Sequence, residues 1–352
     1  MSALKIRSFG ELLAAAPILL GFVPRRSLVL IDLTPNGVLG ATARTDLELR
    51  PSGQVSRASV EGAQESVRML AHACEDFYFS DLVAVVVHDS VSDRDEVARQ
   101  VRGMLDGHNV RSVLVVTELR ADASWWCDCC ARTGTVADYR SVPALTQLAA
   151  HEGVPVESRE AMVAMLAPCT AVVATARVEA ARAAQGTDGA ADAARDLIGA
   201  AQAADGIGAL TDERVAQLAA AVLDPFARDV FVGMAFTPSA DQARELVRQI
   251  ATRVRGAARA EALTAYAAFA YVAGDGPMVG IALDAAFKGR RPVVLARLLA
   301  AAFSAGAHPD EVGRLLAQAS IAHAEHLGVK LPGIDPAMDP RDDAQVVAEG
   351  LA

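Results

Sequence analysis

Aromatic side chains are scarce in this chain of 352 residues, at 5% of the total, although hydrophobic residues reach 52%. Its core must therefore come from Ala, Val and Leu, which suits closely packed helices and narrow buried strands. Lysine is almost absent, with three among 33 cationic residues, a composition typical of a GC-rich bacterial genome. Acidic residues outnumber basic ones, and the net charge is −10, split evenly on either side of Thr170. Without a basic lobe to displace counterions from a phosphate backbone, nucleic acid is not an expected partner. Long apolar runs are also missing. The apolar run near the start, Leu12 to Val23, has 12 residues, well short of the ~20 a spanning helix needs, so no membrane role is expected. The sequence has no G-x-G-x-x-G or Walker phosphate loop, no G-x-S-x-G elbow and no H-E-x-x-H pair. No motif calls for a cofactor.

Cysteines are few and badly placed for a secreted disulfide framework: five in all, three of them within four positions. That pattern fits a reduced, cytoplasmic setting. Lys5 and Arg7 ahead of the apolar run imitate a signal peptide, but Glu11 sits at its edge and Pro17 would follow a cut after Ala14-Ala15-Ala16. The segment reads instead as a first helix, with Ser8 and Glu11 as a capping box and Gly21 at its end.

Hydrophobic patterning divides the rest of the chain in two. Ser27 to Leu33 and Val38 to Asp46 read as a hairpin around Pro35-Asn36-Gly37. An amphipathic helix follows over about 58–73. Leu82 to Val87 and Val113 to Val116 are continuous β-branched runs, as expected of strands covered on both faces. The helix between them, capped by Ser92, makes a βαβ unit. The expected fold is thus an α/β domain over residues 1–168, a mixed sheet with a hairpin and a parallel βαβ unit. An all-helical domain follows over 169–330, and a loosely ordered tail rich in Pro and acidic residues over 331–352. Turns are expected at Gly186 to Gly189 and at Asp205 to Gly208. Ala273-Gly274-x-x-Pro277 recurs as Ala305-Gly306-x-x-Pro309, and this 32-residue offset predicts two helix hairpins in a repeat-like arrangement.

The stretch Glu11-Leu12-Leu13, Pro17-Ile18-Leu19-Leu20-Gly21-Phe22-Val23-Pro24 and Ser27-Leu28-Val29 resembles the opening of an uncharacterised actinobacterial family, domain of unknown function 4192. The likeness continues through Arg44-x-Asp46-Leu47, Trp125-Trp126, Cys129-Cys130-x-x-x-Gly134, Ser158-Arg159-Glu160 and Gly274-Asp275-Gly276. Tyr271 stands where the family often has Trp. The resemblance implies a cytoplasmic actinobacterial protein and brings no activity with it.

Three functional readings follow from the residues. The leading one is a protein-interaction module acting through the helical domain. The second is an enzyme or small-molecule binder at the carboxyl ends of the parallel strands, where ligands of open α/β sheets bind. There His88 and Asp89 would form the floor and Glu118 would face them as catalytic candidates, with Thr117, Arg44 and Asp46 as ligand-binding candidates. Arg25-Arg26 reads as a solvated loop, with an anion site as the alternative. The third is a metal or redox protein using Cys127, Cys129 and Cys130. Their C-x-C and C-C spacings are expected to converge poorly beside the usual C-x-x-C, so a zinc site would need Cys127, one of Cys129 or Cys130, and distant ligands such as Cys74 or His151. The simplest expectation is that Trp125 and Trp126 pack a loop onto the sheet and the cysteines act as small apolar residues.

Overall fold

Strand periodicity decides the layering of the first half of the molecule. A computed structural model describes residues 6–33, 38–73, 81–185, 189–203, 210–289 and 293–334. The expected turns at Pro35-Asn36-Gly37 and Asp205 to Gly208, most of the turn before Gly189, and the tail beyond Ile334 lie outside the described residues. Two compact units emerge: the first runs to Met162 and includes Ser304–Gly306, and the second takes the chain from Val163 apart from those three residues.

The first unit contains α1 (Phe9–Leu20), β1 (Ser27–Leu33), β2 (Leu39–Asp46), α2 (Arg57–Ala73), β3 (Asp81–Val87), α3 (Arg94–Met104), β4 (Val110–Val116), β5 (Ser124–Cys127), β6 (Thr133–Thr135), α4 (Pro143–Glu152) and α5 (Arg159–Met165, which continues past its boundary). The six strands form one mixed sheet in the order β2-β1-β3-β4-β5-β6, with β3 and β4 parallel and the other neighbours antiparallel. Residues opposite each other in a ladder share a face. Leu28, Leu30, Leu82, Ala84, Val86, Val113 and Val115 therefore point together, into a core closed by α2 and α3. Val29, Val85 and Val116 face the other way. Trp125, paired with Val116, meets Phe9 of α1 edge-on with ring centroids 5.6 Å apart. The result is a three-layer α/β/α sandwich.

The helix opening the chain forms as its caps require. Ser8 Oγ accepts from the Glu11 amide at 3.2 Å, Glu11 accepts in return from the Arg7 amide at 2.9 Å, and Gly21 ends the helix at φ +70°. The Trp/Cys segment is not a loop on the sheet but two of its strands, β5 and β6. Glycine is required here by close approach. A Cβ at Gly134 would lie 2.6 Å from the Trp125 ring, whose indole N–H donates to the Thr135 carbonyl at 3.0 Å.

Among its described residues the second unit contains helices only: α6 (Thr175–Ala183), α7 (Gly189–Ala201), α8 (Asp212–Val222), α9 (Pro225–Val232), α10 (Ala240–Arg253), α11 (Gly256–Val272), α12 (Gly276–Phe287), α13 (Val294–Ser304, its last residue grouped with the first unit) and α14 (Pro309–Leu327). Two guanidinium clusters tie these helices together. Arg228 of α9, 5% exposed, pairs with Asp229 and with Glu261 of α11, while Ser320 of α14 donates to the Asp229 carbonyl at 2.7 Å. Arg244 of α10 bonds Asp275 and the Tyr266 hydroxyl of α11, its guanidinium 5.0 Å from that ring. Asp275 also caps α12 through the Met278 amide, which gives Gly274-Asp275-Gly276 its structural meaning.

The two Gly turns at the 32-residue offset are locally alike. Gly274 and Gly306 have φ +73° and +70°. In each case the next amide reaches back five residues, Asp275 to the Ala270 carbonyl at 2.9 Å and Ala307 to the Ala302 carbonyl at 3.0 Å. The flanking helices do not repeat. α11 packs along α12, but α14 lies against α9 and α11 rather than along α13. The expected second hairpin is therefore absent among the described residues. The Ser320 hydroxyl ties α14 to the Asp229 carbonyl of α9 instead.

Gly134→Ala should destabilise the first unit by about 1–3 kcal/mol through overpacking against Trp125. Gly103→Ala, in α3 with open space around it, should be neutral or stabilising by up to ~1 kcal/mol. In the second unit, Arg228→Ala should cost about 3 kcal/mol, because Asp229 and Glu261 lose their counter-ion. Urea unfolding of the three variants checks these outcomes.

Candidate functional site

Because β1 runs antiparallel to β3, its first residue lies beside the last residue of β3: Ser27 pairs with Val87. Arg26 is thereby brought to the carboxyl edge that the parallel strands share. It adopts φ +45°, a left-handed conformation costly for a residue with a Cβ, and its guanidinium bonds Asp89 at 3.2 Å. His88 follows β3 and is 6% exposed. Its amide donates to the Val116 carbonyl at 3.0 Å, and its Nδ1 accepts from the Ser90 amide at 3.1 Å. That bond leaves the proton of the neutral ring on Nε2.

Here the surface opens into a cleft of about 740 Å³, lined among others by Arg26, Arg50, His88, Ser90, Asp93 and Glu96. One wall is the start of α3, where Asp93, rather than the expected Ser92, caps the Glu96 amide at 3.0 Å. The other is the turn from Glu48 to Val55, closed by an Arg50 amide bond to the Gln54 carbonyl at 2.8 Å. Gln100 of α3 accepts from the Val55 amide at 2.7 Å and fixes the wall to the helix.

Only part of the expected constellation is assembled. His88 lines the cleft, and Asp89 stands beside it, its carboxyl held below the usual range by its bonds to Arg26 and Ser90. Glu118 and Thr117 do not line it. Glu118 lies beyond the end of β4 and accepts from Arg120 at 2.5 Å. Arg44 and Asp46 are on the face opposite that of His88, since their ladder partners are Val29 and Ser27. Arg44 bonds Ser27 Oγ at 2.9 Å and Asp46 at 2.5 Å, with its guanidinium 5.9 Å from the Phe22 ring. The period-two alternation of strands separates residues that sequence proximity to the sheet edge had grouped. Arg26 and Arg50 were not anticipated in the cleft. Arg26 carried the expectation of a solvated loop, with an anion site as the alternative, and Arg50 gave no signal.

The thiols lie toward the other end of β4. Cys127 pairs with Leu114, and the chain then turns through Asp128 to Ala131, the last at φ +52°. This tight turn makes the C-x-C and C-C spacings converge, against expectation. The Sγ atoms of Cys127, Cys129 and Cys130 all lie within 4.8 Å of one another, and those of Cys127 and Cys129 are 3.3 Å apart. Cys127 is buried, whereas Cys129 and Cys130 are exposed. Burial pushes the Cys127 thiol up to about 12, while the Arg132 amide lowers Cys130. Cys74 and the side chain of His151 fall outside the described residues.

A mixed six-stranded sheet followed by a helical unit, with an edge cleft and a three-thiol turn, defines the chain as a two-part α/β and helical protein. The family described as domain of unknown function (DUF4192) matches residues 10–310, and the chain belongs to that family. No curated protein and no solved structure matches it. No described helix is long and apolar enough to cross a membrane.

His88 is held below the ordinary imidazole value mainly by burial; Asp89 pulls it up and the Arg26 charge pushes it down. The unfolded chain therefore takes up this proton more readily than the folded one, so stability rises with pH across that interval. The contribution of neutral His88 is present above about pH 6.5 and is lost as the pH falls through its lowered folded value. Urea unfolding between about pH 7 and pH 5 should show that loss, and His88→Gln should flatten it.

Proposed function

We propose that this protein is a cytoplasmic interaction module, in which residues 1–168 form a sheet domain and residues 169–330 a helical domain that presents α13 to a protein partner. The observation that carries this reading is the outer face of α13. Val294 and Leu298 are 71% and 63% exposed, and the exposed Ala301 continues the stripe. Their spacing of four and then three residues puts all three on one side of the helix. Only Ala296 and Leu299 are buried on the opposite side. A contiguous apolar stripe left in water is the usual mark of a protein contact. Leu298→Asp and Val294→Asp should each change folding stability by no more than about 0.5 kcal/mol, as expected for exposed positions. They should also abolish capture of a partner that the wild-type chain retains from native-host lysate and binds again once purified. Variants that bind every wild-type partner equally well would contradict the reading.

The edge cleft favours a second role. A buried His88 and a backbone-strained Arg26 beside an open cleft are the equipment of a small-molecule site, with Arg50 available to an anionic group and Arg26 held beside it by Asp89. Under this reading, a polar metabolite that raises the melting temperature should lose that effect in Arg50→Ala, which touches no described ion pair.

A further inference from the structure

We propose that Cys127, Cys129 and Cys130 form a three-coordinate site for copper(I). The convergence of the sulfurs carries the inference. A metal–sulfur bond of about 2.3 Å places three thiolates in a plane at about 4 Å from one another. The three Sγ atoms already lie within 4.8 Å of each other, so small side-chain rotations complete the triangle. The donor set is all sulfur. Among the described residues, no imidazole or carboxylate joins the group. The neighbouring carboxylate, Asp128, is committed elsewhere, one oxygen accepting from the Val113 amide at 2.8 Å and the other from Arg102. Structural zinc takes four ligands, so a set of three, all of them soft thiolates, suits copper(I) better.

The surroundings suit the charge this requires. Three thiolates around one monovalent ion leave two negative charges. Arg102 acts on Cys127 and Cys129, and Arg132 on Cys130. Ser112, 1% exposed, places its Oγ 3.4 Å from Cys129 Sγ and fixes the orientation of that side chain. Binding displaces the proton of each thiol to solvent, including that of buried Cys127, and copper enters and stays as copper(I). Cys129 and Cys130 open the site to solvent; Cys127 anchors it to the sheet.

The test is an anaerobic titration of the reduced full-length protein with copper(I) held by a chromophoric chelator, followed by X-ray absorption of the loaded sample. Wild type and Cys169→Ser, which removes an exposed thiol of the second unit, should each take one copper(I) per chain, coordinated by sulfur alone. Cys129→Ser and Cys130→Ser change exposed positions, and circular dichroism should show them folded. Each should lose affinity by at least about tenfold. Failure of the wild type to compete with the chelator would overturn the proposal, as would equal binding by the serine variants. A spectrum showing nitrogen or oxygen ligands would overturn it too. So would a chain that forms an internal disulfide with glutathione disulfide and retains no copper.

Discussion

Strand β3 is buried on both faces, and the rest of the first unit depends on that. From Leu82 to Val87 every side chain is fully buried. Such a strand contributes no polar side to orient it, so its register is set by its neighbours, β1 antiparallel and β4 parallel. A slip of one residue would exchange the two faces. The register observed sends Leu82, Ala84 and Val86 to the α2–α3 core and puts His88 beneath the edge cleft. It also places the β4–β5 pairing so that Cys127 stands across from Leu114, with the thiol turn toward the opposite end of the strand. One ladder thus positions both chemically distinctive features.

The helical unit is organised differently, around buried or half-buried arginines. In an alanine-rich core, helix–helix contacts are close but similar to one another, and area alone distinguishes few arrangements. Arg228 and Arg244 provide that discrimination. Each needs carboxylate or hydroxyl partners from a particular neighbouring helix, because an unpaired buried charge is costly. The Arg228 cluster joins α9, α11 and α14; the Arg244 cluster joins α10 to α11 and the cap of α12. This explains why two Gly turns with the same backbone geometry are followed by helices that pack differently. The turn is local, whereas α14 is held by a contact between residues 91 apart, the Ser320 hydroxyl donating to the Asp229 backbone carbonyl of α9.

Much of the fold was legible because its signals are local. Ser8, Glu11 and Gly21 specify α1; the β-branched runs specify β3 and β4; the Gly-Asp-Gly turn specifies the end of α11 and the start of α12. The strands β5 and β6 were missed because they are only four and three residues long, and Trp125-Trp126-Cys127 shows no polar alternation. Of the candidate site residues, His88 and Asp89 could be placed from strand ends alone. Arg44 and Asp46 could not, because the face a side chain takes depends on ladder register, which sequence spacing does not encode. The convergence of the three sulfurs was hidden for a related reason. It rests on the tight turn that follows Cys127 and ends at the left-handed Ala131, a residue type that does not advertise that conformation.

Native-state hydrogen exchange reads the central claim directly, amide by amide. If doubly buried β3 is the frame of the first unit, the Val83 to Val87 amides should exchange only through global unfolding of that unit, with protection matching the stability from urea unfolding. Edge strands β2 and β6 should exchange faster through local opening. Exchange of the β3 amides as fast as those of β2 would contradict the account.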